Sequence, residues 1–187
     1  MSGIYKKGFT LIELLVAIAI IAVMATIVVP RLWHRAPYYE RKKFIGQLNA
    51  LTRFAWQQAL TKNKLHQVFF NFEQNSISIK EQSSEINASG ESVFTDIKGT
   101  GLRTFIEIPR HIQVKQFLIE GSDAMTVFAG RPTQEAWFFI IPDGLSQEVI
   151  INIVDTRDRL SNGSARSIGL VLNPFMAQFK IYDEFQK

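Results

Sequence analysis

The chain has 187 residues, 47% of them hydrophobic and 20% charged, and contains no cysteine. That is enough for one globular domain with a real core and something more, and it excludes an intrinsically disordered chain. Without cysteine there is no disulfide framework, Cys-ligated zinc, iron–sulfur cluster or thiol nucleophile, and the scattered His34, His66 and His111 do not make a His-rich metal site.

The net charge of +4 is unevenly spread. Lys6 and Lys7 open the chain, and Glu13 is the only charge in residues 9–30. Residues 31–64 hold Arg31, Arg35, Arg41, Lys42, Lys43, Arg53, Lys62 and Lys64 against Glu40 alone, which leaves residues 65–187 mildly acidic. A basic stretch beside an apolar segment reads as contact with anionic lipid headgroups. Bulk charge gives no support to nucleic-acid binding by the globular part.

Residues 9–29 form an apolar run that at ~1.5 Å per residue spans about 30 Å, one bilayer core. The run ends at Pro30 and leads into a helical pattern, without the small-x-small site of a secretory signal peptide. Glu13 lies inside it, where an ionised side chain costs roughly 2.5–3.5 kcal/mol unless it snorkels to the headgroups or finds a partner.

After Pro30 the pattern becomes amphipathic. Phe44, Leu48, Leu51, Ala55 and Ala59 fall on one helical face, and Gln47, Asn49, Arg53 and Gln57 point elsewhere. The spacing predicts helix from about residue 9 to residue 64, kinked near Pro30 and again near Pro37, with its second half plugged into a head domain. Phe44, Phe54 and Trp56 read as core packing rather than a ligand platform.

From Leu65 the texture changes to short β-like runs punctuated by turns. Strands are expected near 66–72, 76–80, 103–108, 112–119, 124–129, 136–141, 148–154, 165–172 and 176–182, with 81–101 as a mobile loop. The fold class is α+β, a long N-terminal helix followed by an antiparallel β-sheet or sandwich head. The organisation expected is a leader at 1–8, a helix at 9–64 (9–29 transmembrane, 30–64 amphipathic) and a β domain at 65–187.

Asp155, Thr156, Arg157 and Asp158 with Asn162 and Gly163 lack the alternating-oxygen spacing of a calcium loop and read as a solvated hairpin loop. No G-x-S-x-G, H-E-x-x-H or P-loop occurs, so the expectation is a protein that is not an enzyme, with no cofactor and no metal.

Gly8-Phe9-Thr10-Leu11-Ile12-Glu13, with the basic leader before it and the apolar helix after it, resembles the type IV prepilin signature. The resemblance implies cleavage between Gly8 and Phe9 by a prepilin peptidase on the cytoplasmic side, with N-methylation of Phe9 by the same enzyme. Lys6 and Lys7 belong to the leader, Glu13 becomes the fifth residue of the mature chain, and Pro30 falls at a common pilin kink site. In a filament, Glu13 of one subunit could meet the Phe9 amine of a neighbour within an apolar bundle. Paired, the two buried charges offset much of each other's desolvation, so the pair sets register between subunits.

The C-terminal half, with Trp137-Phe-Phe-Ile-Ile-Pro-Asp-Gly144 followed by 149–154 and 168–172, resembles the GspH/FimT-type domain, Phe139 standing one step looser from Pro142 than that pattern has it. What the resemblance implies is a structural, H-type minor pseudopilin of a type II secretion system, or a minor pilin of a type IV pilus serving assembly, adhesion or DNA uptake. The implied partners are the prepilin peptidase, the other minor and major pseudopilins, the inner-membrane assembly platform and the membrane itself. The implied location is the bacterial inner membrane, single-pass, with the globular domain periplasmic. The Gly-Arg-x-Arg stretch of DNA-binding FimT-like pilins is absent; Arg157, Arg159 and Arg166 sit among acidic neighbours instead. The positive-inside rule would place the residues after Pro30 in the cytoplasm, but a peptidase that needs Gly8 there fixes the N-terminus inside.

Overall fold

The computed structural model describes residues 10–87, 90–97, 104–125 and 133–187, with backbone alone for 27–36. The chain divides into two compact units, Met1–Pro37 and Tyr38–Lys187. One helix, α1 (Leu11–Lys62), continues without interruption through positions 30 and 37. It stops at Asn63, whose φ of 52° is the left-handed conformation that commonly ends a helix.

In the second unit the expected apolar face of α1 is the buried one. Phe44, Leu48, Leu51, Ala55 and Ala59 all enter the core, joined by Ile45, with Phe54 and Trp56 packed against its margin.

Ten strands are described: β1 (His66–Asn71), β2 (Ser76–Ile86), β3 (Ser92–Asp96), β4 (Phe105–Glu107), β5 (Ile112–Ile119), β6 (Ser122–Asp123), β7 (Glu135–Ile140), β8 (Val149–Arg159), β9 (Ala165–Asn173) and β10 (Gln178–Tyr182). They form two five-stranded antiparallel sheets. The first has the order β3-β2-β1-β7, with β4 also on β2, and the second has the order β10-β9-β8-β5-β6. β3 and β4 lie end to end on one edge of β2, pairing with residues 80–86 and 76–78 respectively. The sheets meet through aromatic contacts, Phe70 against Phe117 at 4.9 Å between ring centroids and Phe138 against Phe179 at 6.3 Å.

Three expectations change. Residues 81–101 are not simply a loop, because β2 continues to Ile86 and β3 follows. Their Ser- and Glu-rich composition conceals strands that sit on a solvated edge and are held by main-chain pairing, with little apolar periodicity to read. The strand expected at 124–129 is displaced: the strand residues are Ser122 and Asp123, residues 124 and 125 are a turn, and 126–129 lie outside the described residues. Asp155 and Asp158, read as part of a solvated loop, belong to β8, and Asp155 is completely buried.

Candidate assembly site

The start of α1 carries a reciprocal pair of hydrogen bonds. The Glu13 amide donates to Thr10 Oγ1 at 3.3 Å, and the Thr10 amide donates to Glu13 Oε2 at 3.5 Å. This is a capping box, in which an N-cap threonine and a glutamate three residues on satisfy each other's orphan amides. Its sequence signal, Thr10-x-x-Glu13 ahead of an apolar run, lies inside the processing signature, and the reading of Glu13 as a charge partner passes over it. The negative carboxylate at the helix N-terminus also complements the helix dipole.

From Leu11, 83% exposed, to Met24, every large apolar side chain of this stretch is more than half exposed. A surface so uniformly apolar requires a covering partner, lipid or protein. Among the described residues no helix is long and apolar enough to cross a membrane. Lys6, Lys7, Gly8 and Phe9 lie outside the described residues, and Pro30 lies within α1 with its backbone alone described.

Within the second unit, polar side chains of α1 hold the helix in register on the β-strands. The Phe179 amide donates to Asn49 Oδ1 at 2.6 Å, and Asn49 Nδ2 donates to the Phe179 carbonyl at 3.4 Å. Asn49 therefore does not point away, as its place off the apolar face suggests; it pairs with the outer edge of β10 as a further strand would. Thr52 Oγ1 donates to the Ala177 carbonyl at 2.7 Å, and Trp56 Nε1 donates to the Gly144 carbonyl at 2.6 Å. Gly144, with φ of +78°, turns the chain where a Cβ would stand 3.0 Å from Leu60 Cδ2.

Two ionic clusters complete the seat. Near the end of α1, Lys62 and Lys64 both hold Glu81 of β2, the latter at 2.8 Å. Burial works against the ionised form of Glu81, but the two ammonium groups outweigh it and hold the carboxyl below its ordinary range. His66 beside them is buried, its Nδ1 2.9 Å from the Lys64 carbonyl and its Nε2 without a hydrogen-bond partner among the described residues. Burial holds this imidazole below its ordinary value.

At the other end, Arg41 Nη1 donates to Asp155 Oδ2 at 2.8 Å and to Asp158 Oδ2 at 2.7 Å, and Arg166 Nε meets Asp158 at 2.7 Å. Burial of Asp158 favours its neutral form, but hydrogen bonds from Arg41 and Arg166 reverse the balance and keep it below the ordinary carboxylate range. Glu40 meets Arg157 at 2.7 Å and His111 at 3.5 Å.

These pairings correct the reading of residues 31–64 as a single lipid-facing basic stretch. Arg41 is buried and neutralised by β8, and Lys62 and Lys64 share the one carboxylate of Glu81 on β2, whereas Lys42 and Lys43 are exposed. The three arginines weighed as DNA contacts are engaged as well, Arg157 by Glu40, Arg166 by Asp158, and Arg159 by the Gly163 carbonyl.

Comparison with known proteins agrees with the N-terminal signature. Residues 5–29 match the prokaryotic N-terminal methylation motif. No curated protein sequence matches the chain. Among solved structures, the chain is similar to the minor pseudopilin EpsH from the Type 2 Secretion System of Vibrio cholerae. One structure of it gives a TM-score of 0.44 at 8% identity, covering 78% of this chain and 95% of that one. A second crystal structure of EpsH gives 0.37 at 13% identity, covering 73% and 92%.

Proposed function

We propose that this chain is a non-enzymatic minor pseudopilin, a structural subunit of a type II secretion pseudopilus that helps export folded proteins across the outer membrane. The observation that carries this reading is the methylation motif at residues 5–29, running into an uncovered apolar helix that is joined to a β head. On this reading a prepilin peptidase cuts after Gly8 and methylates Phe9. Residues 9–29 then lie across the inner membrane, with the head on the periplasmic side, until the assembly platform extracts the subunit.

Glu13 has a double part in this scheme. In the single chain its carboxylate is satisfied by the Thr10 amide. In a filament it is free to exchange that neutral donor for the Phe9 ammonium of a neighbour, which turns a charge–dipole bond into an ion pair whose two charges offset each other's desolvation. Glu13→Ala is expected to insert into the membrane normally while incorporation into the filament falls. Unchanged incorporation removes the pairing mechanism.

The motif is equally that of a minor type IV pilin, which is the second reading. In-cell crosslinking from the head in the native host, with partners identified by mass spectrometry, separates the two. Other minor pseudopilins and the secretion platform are the expected partners. A major pilin with pilus-assembly proteins would transfer the chain to the second reading, and an uncleaved, partnerless precursor would end both.

A further inference from the structure

One register crosses the outer face of the second sheet: Gln116 on β5 faces Asn152 on β8, Asn152 faces Gly169 on β9, and Gly169 faces Tyr182 on β10. Residues 183–187 turn back from β10 and pass over this row. Asn152, 0% exposed, grips them through their main chain. The Gln186 amide donates to Asn152 Oδ1 at 3.0 Å, while Asn152 Nδ2 donates to the Gln186 carbonyl at 2.9 Å and to Gln116 Oε1 at 2.8 Å. Gly169 supplies the clearance, since a Cβ there would stand 2.6 Å from both the Glu184 carbonyl oxygen and Gln186 Cγ.

The segment's own side chains hold little of it in place. Phe185 is 40% exposed, and Glu184 and Lys187 are exposed. Beneath the acidic pair Asp183 and Glu184 lie two cations: Arg166, whose Nε holds Asp158 at 2.7 Å and whose Nη1 lies 3.7 Å from Asp183 Oδ1, and Lys180, exposed on β10. The sheet thus presents a bidentate amide fork, a glycine floor and a basic margin.

We propose that Gln116, Asn152 and Gly169 form a seat for an extended acidic peptide of a partner protein, and that residues 183–187 occupy it as a displaceable strap. A side-chain amide that reads one N–H and one C=O accepts any extended chain at that place, so recognition depends on backbone and charge rather than on one sequence. Segments held by few apolar contacts open locally at low cost. A vacated seat opens the Asn152 amide to water, so an incoming chain exchanges solvent hydrogen bonds for protein ones and gains the net worth of one or two of them. The inference concerns the head alone and does not rest on the filament reading.

The test uses the full chain in detergent and a labelled synthetic peptide of residues 182–187, Tyr-Asp-Glu-Phe-Gln-Lys. Gln186→Pro removes the strap's N–H donor in a segment that contributes no residue to the core. The variant is expected to bind the peptide about tenfold more tightly than the unaltered protein, the worth of one or two hydrogen bonds. Adding Gly169→Ala, or separately Asn152→Leu, is expected to abolish that gain, and replacing both acids of the peptide by lysine is expected to weaken binding. Equal binding by Gln186→Pro and the unaltered protein overturns the displaceable strap. Binding that survives both Gly169→Ala and Asn152→Leu overturns the seat, and indifference to the peptide's charge overturns the acidic occupant. A concentration-dependent dimer lost in Gln186→Pro would give the seat to a second copy and overturn the partner peptide.

Discussion

Arg41 reads in the sequence as one more cation of a basic stretch, and in the structure it is the hub of a buried ion cluster. Its partners Asp155 and Asp158 lie more than a hundred positions away along the chain, so neither spacing nor composition announces them. Removing a guanidinium that neutralises a fully buried carboxylate leaves an uncompensated charge. Arg41→Ala is therefore expected to cost roughly 3–5 kcal/mol in denaturant unfolding of the full chain in detergent. Arg41→Met combined with Asp155→Asn and Asp158→Asn should recover most of that loss, since a buried ion pair contributes little net stability over apolar or neutral groups of similar size. A loss for Arg41→Ala below about 1 kcal/mol would place the pair with ordinary surface salt bridges. Glu13 is the opposite case. As a lone charge in an apolar run it stands out in the sequence at once, and its local partner Thr10 is only three residues away.

At the scale of elements, α1 shows where periodicity suffices and where it stops. Phe44, Leu48, Leu51, Ala55 and Ala59 are legible as a core face because burial of one side of a helix must repeat with its turn. Asn49 is not, because its role is set by the edge of β10, which lies 130 residues further along the chain. An edge strand presents unpaired main-chain groups, and Asn49 satisfies one N–H and one C=O of Phe179. Asn49→Ala is expected to lower stability by about 1–3 kcal/mol through those two orphaned groups. It should also speed hydrogen exchange at the Phe179 amide more than at the core strands; slow exchange there would show that α1 covers the edge without this bond. The β2–β3 hairpin from residue 81 onward is illegible for a related reason, since there the strands are held by backbone pairing on a solvated edge and carry no buried stripe to read.

Across the whole molecule, the groups with shifted protonation among the described residues act in one direction. His66 is held below its ordinary value by burial, so on acidification the unfolded chain takes up a proton near pH ~6.5 that the native chain refuses. The native state loses stability from that point downward. Glu81 and Asp158 are held below the ordinary carboxylate range by their cations, so they contribute stability above that range and lose it as pH falls toward their folded values. The melting temperature is expected to be level above about pH 7, to decline gently below it, and to fall more steeply below about pH 4.5. His66→Asn should remove the upper decline; a melting temperature unchanged between pH 7 and pH 5 in the unaltered protein would contradict the burial argument for His66.

By itself the sequence determined what local chemistry can determine. The apolar run with its single carboxylate, the processing signature, the amphipathic half of α1 and the alternation of an antiparallel head are all written within windows of a few to twenty residues. Only the tertiary structure decided which charges are spent, which polar side chains are structural and which surface is occupied. Arg41, Asn49, Asn152 and Gly169 each take their meaning from a group remote in the chain, and that meaning exists only once both are brought within hydrogen-bond distance. Burial and pairing are properties of the packed molecule, because a charge or an amide has no partner until the core has removed it from water.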